Sequence, residues 1–78
     1  MGHVTVLSRH GCTLCVEGER AVERICTELG ASWSVTDVDS DPELRAEYGD
    51  RVPVFLVDGQ EHGYWAVDEA RLRGALRG

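Results

Sequence analysis

The sequence predicts an α/β domain with a four-stranded mixed β-sheet flanked by three α-helices. Three observations point there. An amphipathic stretch of helix length separates two strand-like runs, which is the pattern of a βαβ unit with parallel strands. A third apolar run, Val52–Val57, leads directly into Asp58-Gly59, the best two-residue hairpin turn in the chain. Helical stretches stand on either side of that hairpin.

His3–Ser8 is short, β-branched and apolar, and is expected to form the first strand. Arg9-His10-Gly11 turns the chain. From Thr13 to Leu29 the spacing is helical: Val22, Ile25, Cys26 and Leu29 fall at i, i+3, i+4 and i+7. Glu19, Arg20, Glu23 and Glu28 occupy the opposite, solvent-directed face, and Gly30 ends the helix. Gly18 either permits close packing or merely weakens the helix. Ser32–Asp39 alternates as a second strand, with Trp33 assigned to the core. Ser40-Asp41-Pro42-Glu43 is a helix start, with Ser40 as the capping residue and Glu43 three positions on. That short helix runs to Tyr48 and stops at Gly49. Val52–Val57 reads as a buried central strand, and Gln60–Trp65 returns antiparallel to it at the sheet edge. The last helix begins near Val67 or Asp68, buries Leu72, Ala75 and Leu76, and turns Arg71, Arg73 and Arg77 to water.

With 78 residues, the chain is expected to form a single domain spanning residues 1–78. Its net charge of −6 and its lack of a basic stripe disfavour nucleic acid as a partner. The apolar runs are far shorter than the roughly 20 residues of a membrane-spanning helix, so no membrane partner is expected. No basic start leads into an apolar segment of the export type, which leaves the cytoplasm as the default compartment. Three cysteines, Cys12, Cys15 and Cys26, are too few and odd in number for a secreted disulfide framework. In a reducing compartment, a close pair is more often catalytic or metal-binding.

Cys12-Thr13-Leu14-Cys15 opens the first helix. Thiols three residues apart on a helical first turn face each other, so one can attack a disulfide and the other resolve it. Unpaired N–H groups and the partial positive charge of the helix start favour the thiolate, which is the reactive form. Lowering a thiol pKa by two units favours the anion by roughly 2.7 kcal/mol. The helix terminus supplies about 0.3–1 kcal/mol when exposed and up to about 2 when partly buried. Hydrogen bonds from the following N–H groups, and nearby Arg9, must supply the rest. Cys26 lies on the apolar face, where a free cysteine acts as a small hydrophobe.

Taken together, these residues resemble the glutaredoxin-like branch of the thioredoxin fold. The resemblance is carried by the strand, Arg9-His10-Gly11-Cys12-Thr13-Leu14-Cys15 and the helix near the N-terminus, and by Arg51-Val52-Pro53-Val54 opening the third strand. The Asp58-Gly59 hairpin and the closing helix extend it over essentially the whole chain. It implies a thiol–disulfide oxidoreductase with Cys12 as nucleophile and Cys15 as resolving thiol. Pro53 would match the family's cis-proline, leaving the backbone at Val52 free for an extended substrate. Arg9 would stand where such proteins often carry a thiolate-favouring lysine. Asp68 would meet the amine end of glutathione at the last helix. The implied partners are a disulfide-containing protein or a low-molecular-weight thiol, together with a reductase or thiol donor. The chain is expected to be monomeric with no tightly bound cofactor, and glutathione is one candidate donor.

Departures from the family pattern are specific. Thr13-Leu14 replaces the usual Pro-Tyr, and Arg51 replaces a threonine before Val52-Pro53. His62-Gly63-Tyr64-Trp65-Ala66-Val67-Asp68 stands where a Gly-Gly-x-x-Asp turn would hold glutathione. A metal module using the same cysteines for zinc or an iron–sulfur cluster is one alternative, and needs further ligands. A non-catalytic peptide-binding domain is the other.

Overall fold

The computed structural model describes residues 2–77. Strand β1 spans His3–Ser8, helix α1 Thr13–Leu29, strand β2 Ser32–Asp37 and helix α2 Pro42–Tyr48. Strands β3 (Val54–Val57) and β4 (Gln60–Tyr64) follow, and helix α3 (Glu69–Arg77) closes the chain. The four strands form one sheet in the order β2-β1-β3-β4. β1 and β2 run parallel, with Val4 opposite Trp33 and Val6 opposite Val35. β3 is antiparallel to both β1 and β4, with Val6 opposite Phe55. The mixed four-stranded sheet with three helices is therefore as predicted, and β3 is a central strand.

The period-two alternation of β1 distributes its side chains between two apolar clusters. Val4 and Val6 pack with Phe55, with Val22, Ile25 and Cys26 of α1 and with Leu72 of α3. Leu7 turns the other way, toward Val54 and Val38, where Leu44 and Tyr48 of α2 join them. α1 and α3 thus cover one face and α2 the other. Each fully buried aliphatic or aromatic side chain is worth about 1.5–3 kcal/mol against exposure.

Several boundaries differ from expectation for local reasons. β2 stops at Asp37 because its carboxylate accepts the Asp39 N–H at 2.9 Å, and residues Val38–Ser40 tighten into a 3-10 turn. Asp41, not Ser40, caps α2, accepting the Glu43 N–H at 2.9 Å. Pro42 at the first helical position forces an extended conformation on the residue before it, which makes that residue the cap. Ser40 instead donates its hydroxyl to the Asp37 carbonyl at 2.6 Å. β4 ends at Tyr64, since Trp65 has a φ of 71° and cannot continue a strand. β3 begins at Val54, after the cis Val52–Pro53 bond. The hairpin turn matches its expected type, with φ of 52° at Asp58 and 84° at Gly59.

Trp33 is not core: it is 37% exposed, and Val35 is 48% exposed. Both stand on the α1 side of β2, but β2 is an outer strand at the margin of the helical cover. Ala75 is likewise exposed rather than buried. Arg73 is only partly exposed, because it bonds Glu28 of α1 at 3.1 Å and Glu69 at 3.4 Å. With Arg24–Glu69 at 2.7 Å, these pairs tie α3 to α1 at the surface.

Gly18 is required by close packing. A Cβ there would meet Phe55 Cζ at 2.9 Å and Pro53 Cγ at 3.2 Å. Gly18→Ala would gain up to about 1 kcal/mol of helix propensity but incur overpacking of about 1–3 kcal/mol. A net loss of roughly 1–2 kcal/mol is expected, seen as a melting temperature lower by about 4–8 °C per kcal/mol. A melting temperature equal to or above that of the parent would contradict the tight contact.

Candidate active site

β1 delivers the chain to Ser8, and residues Arg9, His10 and Gly11 carry it over the sheet end to α1. Gly11 has a φ of 74°, a turn that favours glycine. Cys12 is the N-cap of α1, in extended conformation with φ −98° and ψ 111°. Its Sγ accepts the Cys15 N–H at 3.1 Å. The sulfur thus takes the place that a serine or aspartate oxygen commonly fills at a helix start. No acidic residue lies in the first turn to oppose an anion there.

Cys12 and Cys15 are joined as a disulfide, with Cα atoms 5.2 Å apart. Their environments differ. Cys12 is half-buried and borders a cleft of about 550 Å³, whereas Cys15 is 1% exposed. Any attacking or leaving group must therefore pass by Cys12. Cys26 is free and fully buried, and burial pushes its thiol up from the ordinary range.

The other expected site residues take distinct positions. The Arg9 guanidinium is held by both carboxylate oxygens of Asp39, at 3.1 and 3.0 Å, and by the Gly49 carbonyl at 3.0 Å. Its charge is therefore shared with a carboxylate from the turn after β2. Pro53 is buried against Gly18, one helical turn beyond the cysteine pair, and its carbonyl accepts the Trp65 N–H at 2.7 Å. Val52 is half-buried and packs at the edge of the α2-side cluster. Asp68 caps α3 by accepting the Arg71 N–H at 3.1 Å. It lines a smaller cleft of about 250 Å³ with His62 and Arg71. There burial, and secondarily the Arg71 charge, pushes the His62 imidazole below its ordinary range.

Two features go beyond the sequence reading, which favoured Tyr64 and Trp65 as packing of the edge strand over lining of a substrate groove. A groove of about 410 Å³ runs between α1 and the β4–α3 connection, bordered by Leu14, Gly18, Trp65 and Val67. Leu14 and Trp65 are each at least half exposed on its rim, and the Trp65 ring meets Tyr64 edge-on with centroids 5.0 Å apart. Arg51 lies over the rings of Tyr48 and Tyr64, at 5.4 and 5.9 Å. The second feature is Glu19, expected on the solvent face. It is partly buried and accepts the Ser8 hydroxyl at 2.6 Å. The only available signal was its position four residues after Cys15. Among the described residues, no group of three or more histidine, cysteine or acidic side chains is clustered to hold a metal ion. Nor is any helix among them long and apolar enough to cross a membrane.

Comparison with known proteins places these features in context. Residues 3–77 match the family described as Glutaredoxin-like domain (DUF836). The uncharacterized protein Rv0508 of Mycobacterium tuberculosis is 48% identical over 78 residues, covering 94% of this chain and 80% of that one. Among solved structures, the protein XcR50 from X. campestris aligns with a TM-score of 0.75 and 31% identity, covering 95% of each chain. Fasciola hepatica thioredoxin aligns with a TM-score of 0.68 at 24% identity, covering 97% of this chain and 78% of that one, a likeness of fold.

Proposed function

This chain belongs to the glutaredoxin-like domain family of the thioredoxin fold, and we propose that it is a thiol–disulfide oxidoreductase working through Cys12 and Cys15. The observation that carries this reading is the asymmetry of the two sulfurs. One caps a helix, accepts an N–H bond and borders a cleft; the other is buried beneath it.

In the reduced protein, the Cys12 thiolate attacks one sulfur of a substrate disulfide. A Cys12–substrate disulfide forms, and the other substrate sulfur leaves with the electron pair and takes up a proton. Cys15 then attacks Cys12 Sγ, which forms the intramolecular disulfide and releases the second substrate thiol. Two electrons pass to the substrate, and an external thiol donor or reductase restores the dithiol.

Val52 and Pro53 wall the substrate side, a role supported by the packing of Pro53 against Gly18. Arg9 favours the thiolate from the loop, tempered by its pairing with Asp39. Asp68 receives the amine of a glutathione-like donor; one of its carboxylate oxygens has no partner among the described residues. The apolar rim of Leu14 and Trp65 suits a disulfide-bearing protein segment as substrate. The domain acts as a cytoplasmic monomer over residues 1–78, with no tightly bound cofactor.

The direct test is alkylation of the reduced protein across pH. Cys12 is expected to react at least about 100-fold faster than Cys26 at neutral pH, with its half-maximal rate well below a free thiol's pKa of about 8.5. Equal rates at the two positions would remove the mechanism. Comparing glutathione with a thioredoxin-reductase system then identifies the donor.

A further inference from the structure

Trp65 is unfavourably placed twice over. Its φ of 71° lies in the left-handed region, which a bulky side chain enters only at a steric penalty. Burial does not compensate, because the residue is 54% exposed. Two hydrogen bonds hold the turn. The Trp65 N–H donates to the Pro53 carbonyl at 2.7 Å, and the Ala66 N–H donates to the Tyr64 carbonyl at 2.9 Å. The second bond closes a γ-turn in its rare, positive-φ form. Side chains hold it as well. The Trp65 ring meets Tyr64 edge-on with centroids 5.0 Å apart, and Arg51 lies 5.9 Å from the centre of that tyrosine ring. Arg51 is itself fixed by the Glu47 carbonyl at 2.7 Å. Strain that the surroundings enforce at an exposed residue points to function.

Trp65 and Leu14 border the groove of about 410 Å³, which Gly18, Ala21, Ala66 and Val67 also line. The charges around it cancel. Arg24 is tied to Glu69 at 2.7 Å, and Glu17 and Arg20 supply one charge of each sign. The groove therefore offers small and apolar surface with no net charge. Leu14 is two residues from Cys12, so their Cα atoms lie within about 7 Å of each other. A substrate residue one or two positions from the half-cystine bound to Cys12 spans a similar length.

We propose that the strained turn makes Trp65 a specificity-determining residue. With Leu14, it selects protein disulfides that carry an uncharged apolar side chain one or two positions from the half-cystine. The proposal rests on the dithiol reading above and names its substrate class. An aliphatic or aromatic side chain is buried between the two walls, whereas a charged one would lose water there without gaining a partner. Arg51 is a positioning residue that acts through Tyr64.

The test uses reduced full-length protein and excess disulfide dimers of two blocked tripeptides, Leu-Cys-Leu and Gly-Cys-Gly. Each reaction oxidises the Cys12–Cys15 dithiol and yields two peptide thiols, which are followed as peptide concentration rises. The leucine peptide is expected to react about tenfold faster at low concentration, through a lower half-saturation and not a higher maximal rate. Trp65→Gly and Leu14→Ala should each bring the two peptides to within about twofold. Trp65→Phe should keep most of the preference. Arg51→Met should raise the half-saturation for the leucine peptide about threefold with the maximal rate unchanged.

Glycine adopts a φ of 71° freely, so Trp65→Gly should melt within about 4 °C of the parent. A larger fall would mean that the ring is kept for packing, and would overturn the proposal. So would an undiminished preference in Trp65→Gly, or equal slowing of both peptides. A Lys-Cys-Lys dimer reduced faster than the leucine peptide would overturn it too. Failure of the unaltered protein to reduce even hydroxyethyl disulfide would instead defeat the dithiol reading itself.

Discussion

Cys12→Ser is expected to lose disulfide reduction by more than about a thousandfold while keeping the fold. A serine hydroxyl has no appreciable anion at neutral pH, and among the described residues the hydrogen bond at this position comes from the Cys15 N–H rather than from a side-chain base. The hydroxyl can still accept the Cys15 N–H as an ordinary N-cap, so the start of α1 should survive. Cys15→Ser should behave differently. Attack by Cys12 remains, but the bond to the captured sulfur has no intramolecular displacer, so a covalent protein–substrate adduct should accumulate and be visible by mass. Retention of activity in Cys12→Ser would favour the peptide-binding alternative. Failure of Cys15→Ser to trap anything under oxidising conditions would count against attack and resolution.

Phe55→Ala is expected to cost about 3–5 kcal/mol, the range for truncating a buried aromatic ring. Phe55 is 2% exposed, stands opposite Val6 in the sheet, and sits within close contact of Gly18 on α1. Small domains have total stabilities of about 5–15 kcal/mol, and 78 residues bury only about 60% of the unfolded surface, so the loss is a large share. Urea denaturation should show a much lower midpoint with little change in slope. The damage should reach the site as well, since the ring and Pro53 share the space beneath Gly18. A loss below about 1 kcal/mol would mean that the α1–β3 contact is looser than the structure describes.

The core face of α1 was legible because Val22, Ile25 and Cys26 repeat at helical spacing, and all three are fully buried. The hairpin was legible because Asp58-Gly59 tolerates the positive φ angles that the turn adopts. The cap of α2 was misread by one residue: Ser40 and Asp41 are both good caps, and the choice fell to the extended conformation that Pro42 imposes on its predecessor. Trp33 was misplaced because alternation assigns a side chain to a face but does not say whether a helix reaches over that part of the sheet. Arg9 was legible as a cation near Cys12, but its partner Asp39, thirty positions away, was not.

From the sequence alone come the order of the elements, the parallel βαβ start and the juxtaposition of Cys12 and Cys15. All three follow from short-range rules: helical and strand periodicity, turn chemistry, and the facing of positions three apart on a helical turn. Only the tertiary structure decided which sulfur is outer and which inner, that Gly18 admits Phe55 and Pro53, and that Glu19 turns inward to Ser8 rather than outward to water. Those outcomes depend on which elements meet across the sheet. Long-range packing sets such meetings, and no local pattern in the chain encodes them.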